Sequence, residues 1–142
     1  MAIIQTLTTS FKVELAQGLH NFTAGTGDVF KMALYTANAD LGASTTAYTA
    51  AGESSGTNYT AGGIVLTNIT PTFQGTTAYW SFDTATFTNV TLTTNGALIY
   101  NSTNGDRSVA VLNFGVNITK TAQNLVVTFP VADATNAVLR IA

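Results

Sequence analysis

The stretch DVFKMALYT, at residues 28–36, alternates between two sets of side chains. Phe30, Met32 and Leu34 occupy every second position, and Lys31 and Tyr35 belong to the set between them. Successive side chains of a β-strand point to opposite faces, so this alternation predicts a strand with one strongly apolar face. Alternation of this kind dominates the chain from residue 28 onward, which favours an all-β protein.

Further short strands with turn signals between them follow this one. We predict them at residues 63–73, 78–83, 86–93, 97–100, 108–114, 125–131 and 137–141. Thr makes up about a fifth of the chain and, with Val, Ile, Phe and Tyr, favours strands over helices. The sequence therefore predicts a mainly β, antiparallel β-sandwich or jelly-roll-like fold in a single domain of residues 1–142.

The apolar faces of these strands supply the predicted core. Its members are Phe30, Met32, Leu34, Leu66, Trp80, Phe82, Leu92, Ile99, Leu112, Phe114, Val127 and Phe129. One short N-terminal helix is predicted at residues 10–17. Ser10 can act as its N-cap, Phe11 and Leu15 recur at a spacing of four, and Gly18 can end it.

Two segments without a regular pattern are candidates for contact with other molecules. The N-terminal arm, residues 1–9, contains Ile3, Ile4 and Leu7 and no charge, and we expect it to be exposed in a free monomer. The long loop at residues 37–62 is rich in Ala, Thr, Gly and Ser, and carries Tyr48, Glu53 and Tyr59. Loops of this length are commonly functional, so we expect its order to depend on assembly with partners.

Composition excludes several classes of function. Charged residues make up only 8% of the chain and the net charge is -2, so no basic stripe for nucleic acid can form. With no cysteine, neither disulfides nor thiolate metal sites are possible. We expect no Sec targeting and no membrane span, since no apolar run reaches about 18 residues. The weakly charged surface is instead typical of burial against protein partners.

No arrangement of residues points to catalysis, and we predict no catalytic, cofactor-binding or metal-binding residues. His20 is the sole histidine and lacks a nucleophile-elbow sequence, so we interpret it as a polar residue that meets carbonyls beyond the helix. The seven carboxylates are scattered along the sequence. Folding could still bring two of them together, which leaves a carboxylate enzyme as an open alternative.

Four segments together resemble small structural proteins of tailed-bacteriophage virions. They are SFKVELAQGLHNF at 10–22, DVFKMALYT at 28–36, AYTAAGESSGTNYTAGG at 47–63 and GALIYN at 96–101. The resemblance covers most of the chain in the same order, and it implies a virion protein present in many copies.

A capsid decoration or cement protein fits the size best. The resemblance implies binding to the major capsid protein or other virion proteins, a homo-oligomer, and location in the virion after assembly in the bacterial host cytoplasm. It implies no enzymatic activity and no contact with nucleic acid or membrane. The alternatives are a tail or fibre component, or a receptor- or carbohydrate-binding module that stacks sugars on Tyr48, Tyr59 or Trp80.

Overall fold

The computed structural model describes residues 2–142, and Met1, which belongs to the predicted arm, lies outside them. Within those residues the chain is mainly β, with two antiparallel sheets and a single short helix, which confirms the predicted sandwich class. In chain order the elements are β1 (Thr6–Leu7), α1 (Thr9–Ala16), β2 (Phe30–Tyr35), β3 (Ile64–Val65), β4 (Asn68–Gln74), β5 (Thr77–Phe82), β6 (Ala85–Asn101), β7 (Arg107–Val127) and β8 (Leu139–Ile141).

The strands form a five-stranded and a three-stranded sheet. The order is β1-β7-β6-β2-β3 in the first and β4-β5-β8 in the second. Between the two sheets lies the main core, where the Phe30 and Phe82 rings are 5.8 Å apart and Trp80 and Leu139 are also buried. The inner face of the five-stranded sheet therefore packs on the three-stranded sheet.

Strand β2 is buried on both faces. Its inner face carries Phe30, Met32 and Leu34, as the alternation predicts. Ala33 and Tyr35 lie on the outer face and are equally inaccessible, in a second buried cluster with residues of β6 and β7. The five-stranded sheet is thus covered from both sides.

Eight of the twelve predicted core residues are buried, and the other four are only partly so. Leu112, Phe114, Val127 and Phe129 pack at the margin of the main core. They lie on or just beyond β7, whose outer neighbour β1 pairs only with Ala110 and Val111. Most of β7 is therefore a sheet edge, and its side chains are half covered.

Two predicted pairs of strands are in fact continuous. Residues 86–93 and 97–100 both belong to β6, and residues 108–114 belong to β7 together with 125–127, the only part of the predicted strand 125–131 that is β-structure. The Asn95-Gly96 sequence does not interrupt β6, because a register shift between Thr94 and Gly96 absorbs the irregularity. The turn at residues 101–106 joins β6 to β7, with Gly105 and Asp106 at positive φ. The predicted strand 63–73 is divided instead, with β3 in one sheet and β4 in the other.

The predicted helix is present, with its start shifted by one residue. Thr8 is the N-cap, since its Oγ1 accepts a hydrogen bond of 3.4 Å from the Phe11 backbone N–H. Gly18, at φ 74°, ends the helix, and the Leu19 N–H donates to the Glu14 carbonyl at 3.0 Å. The predicted N-cap Ser10 lies inside the helix, and its hydroxyl donates to the Thr45 carbonyl.

The expectation of an N-terminal arm with little to hold it is wrong for residues 2–9, although Ile4 is exposed as expected. Ile3 is buried in the outer cluster and bridges Leu41, and β1 pairs with β7. The arm is held because β7 offers it backbone partners and the outer face of the sheet offers it apolar surface.

The expectation that the loop at 37–62 becomes ordered only on assembly is also wrong for the single chain. Ala39 and Leu41 are buried in the same cluster as Tyr35, and Tyr48 packs at its margin. The loop forms a third layer over the outer face of the sheet. The physical reason is that this face is apolar and would otherwise lie in water.

Two phenylalanines on the inner face of the three-stranded sheet, one covered and one exposed, give a direct test of the packing. Phe82 is 3% exposed, so Phe82→Ala should lower the free energy of unfolding by about 3–5 kcal/mol. Phe73, on the neighbouring strand, is 73% exposed, and Phe73→Ala should change it by less than about 0.5 kcal/mol. Urea denaturation measures both, and equal losses for the two variants would refute the assignment of the core.

Candidate functional site

The predicted contact residues of the N-terminal arm, Ile3, Ile4 and Leu7, differ in how far their side chains are exposed. Ile3 is buried, and Leu7 is half-buried against the main core. Ile4 is 62% exposed, so its side chain is free to meet a partner. A contact role for these residues stays a prediction, and Ile4 is the one best placed to fill it.

The predicted loop residues Tyr48, Glu53 and Tyr59 meet one another. The Tyr48 hydroxyl donates to Glu53 Oε1 at 2.5 Å, and the Tyr59 hydroxyl donates to Oε2 at 2.6 Å. The Gly62 backbone N–H also donates to Oε2, at 2.8 Å. We call these four residues the Glu53 cluster. Its carboxylate closes the loop on itself, because all three donors lie within the same segment.

The Glu53 cluster is fastened to the edge of β2. Beyond its two pairs with β3, this edge is met by the loop. The Leu34 N–H donates to the Tyr59 hydroxyl at 2.9 Å, and the Ser54 N–H donates to the Leu34 carbonyl at 2.9 Å. The loop therefore satisfies backbone groups that would otherwise form an open sheet edge.

A second attachment runs to the outer face of β6. The Tyr48 and Tyr100 rings stack with centroids 5.0 Å apart. The Tyr100 hydroxyl donates to the Gly62 carbonyl at 2.6 Å, and the Tyr35 hydroxyl donates to the Thr49 carbonyl at 2.6 Å. Four tyrosines thus bind the loop to the sheet.

All four tyrosines keep their protons. Burial raises the pKa of Tyr35 well above its usual range, and the Glu53 charge raises it further. Burial and the hydrogen bond to Glu53 do the same for the pKa of Tyr48 and Tyr59. Burial, Asp106 and Glu53 raise the pKa of Tyr100 to about 12. These hydroxyls are hydrogen-bond donors across the ordinary pH range, two to Glu53 and two to backbone carbonyls of the loop.

A second polar network lies under the helix and centres on His20. His20 Nε2 donates to Glu14 Oε1 at 3.0 Å, and Arg107 Nη1 donates to Glu14 Oε2 at 2.9 Å. On the other side Asn101 Nδ2 donates to His20 Nδ1 at 3.0 Å and to Asp28 Oδ2 at 2.8 Å. Because an amide nitrogen can only donate, the ring proton of a neutral His20 lies on Nε2.

The position of His20 differs from the sequence interpretation. It meets the Glu14 carboxylate rather than free carbonyls, and its side chain is fully inaccessible. The rings of Phe11 and Phe30 lie 5.0 Å and 6.2 Å from its own. No substrate reaches the imidazole in this conformation, so the geometry assigns it to tying α1 to the end of the β6–β7 hairpin.

Sequence reasoning missed this network, although a signal was present. Gly18 reverses the chain after the helix, so a side chain in the last turns faces one shortly after the glycine. Glu14 and His20 stand on either side of that reversal. Their hydrogen bond follows from the same stop signal that ended the predicted helix.

The exposed surface carries one contiguous apolar row. Phe73, Ala78 and Ile141 are directly paired across the three-stranded sheet, which places them on one face. That face is the inner one, because Trp80 follows Ala78 by two residues and is buried. Phe73 and Ile141 are exposed, so the apolar inner face continues beyond the part that the five-stranded sheet covers.

Within residues 2–142 no three His, Asp or Glu side chains are grouped so as to hold a metal ion. No helix in the same part of the chain is long and apolar enough to cross a membrane. Comparisons with protein-family models, with curated proteins and with solved structures find no match for this chain.

The tyrosines around Glu53 make stability sensitive to alkaline pH. Unfolded tyrosine loses its proton near pH 10.0, whereas folded Tyr35 retains it to higher pH. The resulting stabilisation of the unfolded state should lower the free energy of unfolding above pH 10, by up to about 1.4 kcal/mol per pH unit from Tyr35 alone. Urea titrations between pH 8 and pH 11.5 measure this, with absorbance at 295 nm to follow ionisation.

Below pH 10 these tyrosines should not make the free energy of unfolding depend on pH, because they are protonated in both the folded and the unfolded state. Tyr35→Phe should make the alkaline fall shallower. A stability that stays level up to pH 11.5, or ionisation of Tyr35, Tyr48, Tyr59 and Tyr100 near pH 10 while the protein stays folded, would contradict the geometry around Glu53.

Proposed function

We propose that this chain is a structural protein of a tailed-phage virion, most directly a capsid decoration or cement protein. It binds and stabilises the head shell through protein–protein contacts. The resemblance of its four segments to small virion proteins supports this role, and so does the mainly β fold.

The observation that carries the proposal is the character of the exposed surface. Only 8% of the residues are charged, while large apolar side chains stand out on several elements. These exposed residues are Ile4, Val13, Val29, Val65, Phe73, Val116, Val126, Val131 and Ile141. Apolar surface with so little charge around it favours burial against neighbouring proteins.

Apart from Arg107 and Lys120, the rest of the β6–β7 hairpin surface is neutral and polar. Thr93 and Thr119 share a hydroxyl–hydroxyl hydrogen bond of 3.0 Å, and Asn95 donates to Asn117 at 3.0 Å. Such side chains can enter a protein interface without the desolvation cost of a charge. This favours a partner surface that is itself a folded protein, such as the major capsid protein, another virion protein or a second copy.

The geometry disfavours the carbohydrate-binding alternative. A stacking platform requires exposed aromatic faces. Trp80 is 5% exposed, Tyr48 is stacked on Tyr100, and Tyr59 is hydrogen-bonded inside the Glu53 cluster. A tail or fibre component remains the second structural role, and its position on the particle distinguishes it from a cement protein.

Labelling of purified particles tests the proposal. Gold-conjugated antibodies raised against this chain should decorate the heads of the virions that it comes from, in many copies. Particles made without it should release their genome at a lower temperature, and adding back the purified chain should restore wild-type release. Label confined to tails would support the tail role instead, and its absence from particles would refute a virion role.

A matched pair of variants separates contact from folding. Ile4→Asp places a charge on the exposed residue of the N-terminal segment. If that segment contacts the shell, the purified variant should bind more weakly to heads that lack the protein. Thr26→Asp changes an exposed turn residue on another part of the surface and should add back normally. Both should fold, as judged by circular dichroism.

A further inference from the structure

Two cavities lie on either side of strand β8. One has a volume of about 280 Å³ and is lined by apolar side chains that include Leu7, Trp80, Leu139 and Ile141. The other has a volume of about 420 Å³ and is lined in part by Leu7, Val138 and Arg140. Arg140 also lines the first, so the two cavities adjoin, and we call them together the β8 groove.

The β8 groove follows an open backbone edge. β8 is the last strand of the three-stranded sheet and pairs with β5 on one side only. β1, which carries Leu7, is the last strand of the five-stranded sheet. An unpaired edge presents a row of N–H and C=O groups to any extended chain that comes alongside.

The two cavities match the two faces of an added strand. Leu139 and Ile141 point to the inner face of the sheet, as their pairing with Trp80 and Ala78 shows, and both line the smaller cavity. Arg140 pairs with Tyr79 on the opposite face and borders the larger one, as does Val138. Side chains alternate between the two faces along a strand. A strand that pairs with the free edge of β8 would therefore place successive side chains in the two cavities alternately.

The charged residues that line the β8 groove are both basic. Lys12 and Arg140 line it, two of the five basic residues in the chain, and none of the seven acidic residues does. Both ion pairs found in residues 2–142 are made by Glu14, so neither Lys12 nor Arg140 has one, although Arg140 Nη1 donates a hydrogen bond to the Thr135 carbonyl. The carboxylate of nearby Asp133 accepts hydrogen bonds from the Thr135 backbone N–H and the Asn136 side-chain amide.

Trp80 lies beside the groove, and its side chain lines the smaller cavity.

We propose that the β8 groove binds an extended, acidic segment of a partner protein, which adds a strand to the free edge of β8. Apolar side chains of the segment enter the cavity beside Trp80 and Leu139, and a carboxylate meets Lys12 or Arg140. A protein segment fits better than a small amphiphile, because the groove offers backbone groups and cavities on both faces of one strand. The identity of the partner rests on the virion role proposed above, but the binding itself can be measured with purified components.

Trp80 is the only tryptophan, so its fluorescence reports directly on the groove. The probe is an acetylated, amidated peptide EVTVEVT, with KVTVKVT as the charge-reversed control and EVTPEVT as the control whose proline breaks strand pairing. We expect saturable binding of the acidic peptide to the full chain. Binding of the basic peptide should be at least about tenfold weaker, and the proline peptide should lose binding to a similar extent.

Charge reversal in the groove should reverse the preference. The double variant Lys12→Glu/Arg140→Glu should bind the basic peptide better than the acidic one, and Lys12→Glu alone should reduce the acidic preference. Lys120→Glu reverses a charge on β7 outside the groove and should keep wild-type behaviour. Circular dichroism shows whether each variant is folded.

Four results would overturn the proposal. They are no binding of the acidic peptide, equal binding of acidic and basic peptides, binding of decanoate in the absence of peptide binding, and self-association of the chain that the groove substitutions abolish. The last would assign the groove to a second copy. Absence of the chain from virions would refute the virion role and leave the peptide measurement intact, so the two failures can be told apart.

Discussion

The burial of β2 and the adjoining half of β6 on both faces is the constraint on which the rest of the structure depends. A two-layer sandwich covers only the inner face of its sheets. Here the outer face carries Ala33, Tyr35, Leu98 and Tyr100, all buried, so a third layer has to cover them. The segment at 37–62 and the N-terminal residues supply that layer, which leaves them folded on the domain rather than free.

A cover made of Ala, Gly, Ser and Thr has little apolar surface of its own and must be fixed by polar contacts. Glu53 provides them by accepting hydrogen bonds from Tyr48, Tyr59 and the Gly62 N–H. Close approach matters too. A Cβ atom on Gly63, at φ 82°, would lie 1.7 Å from the Met32 carbonyl oxygen, so only glycine fits there. The cover contains few charged residues, so the outer surface that it forms is nearly neutral. This links the fold to the proposed role in an assembly.

The sequence predicted the inner half of this arrangement better than the outer half. Alternation identified Phe30, Met32 and Leu34, because period two is a direct consequence of strand geometry. The run Ala-Leu-Ile-Tyr at 97–100 lacks alternation, as strands buried on both faces do, but we predicted only a strand there and not its burial on both faces. The cover could not be predicted, because its residues show no period. Tyr48, Glu53 and Tyr59 were singled out from the loop as candidate partner contacts, which stays a prediction, but nothing local showed that they would bind one another. The β8 groove arises from elements far apart in sequence, which no spacing reveals.

Hydrogen exchange of the isolated, monomeric chain tests the central claim most directly. If the segment at 37–62 is an intramolecular cover, the Tyr48 and Ser54 amides, which donate to Asp106 and Leu34 carbonyls, should exchange slowly, as amides of β2 do. Glu53→Gln should accelerate exchange in this segment and leave β7 unchanged, whereas Asp40→Asn, at an exposed position of the same segment, should have no effect. Exchange of the whole segment at the rate of an unfolded chain in the monomer, with protection gained only on a particle, would contradict the account.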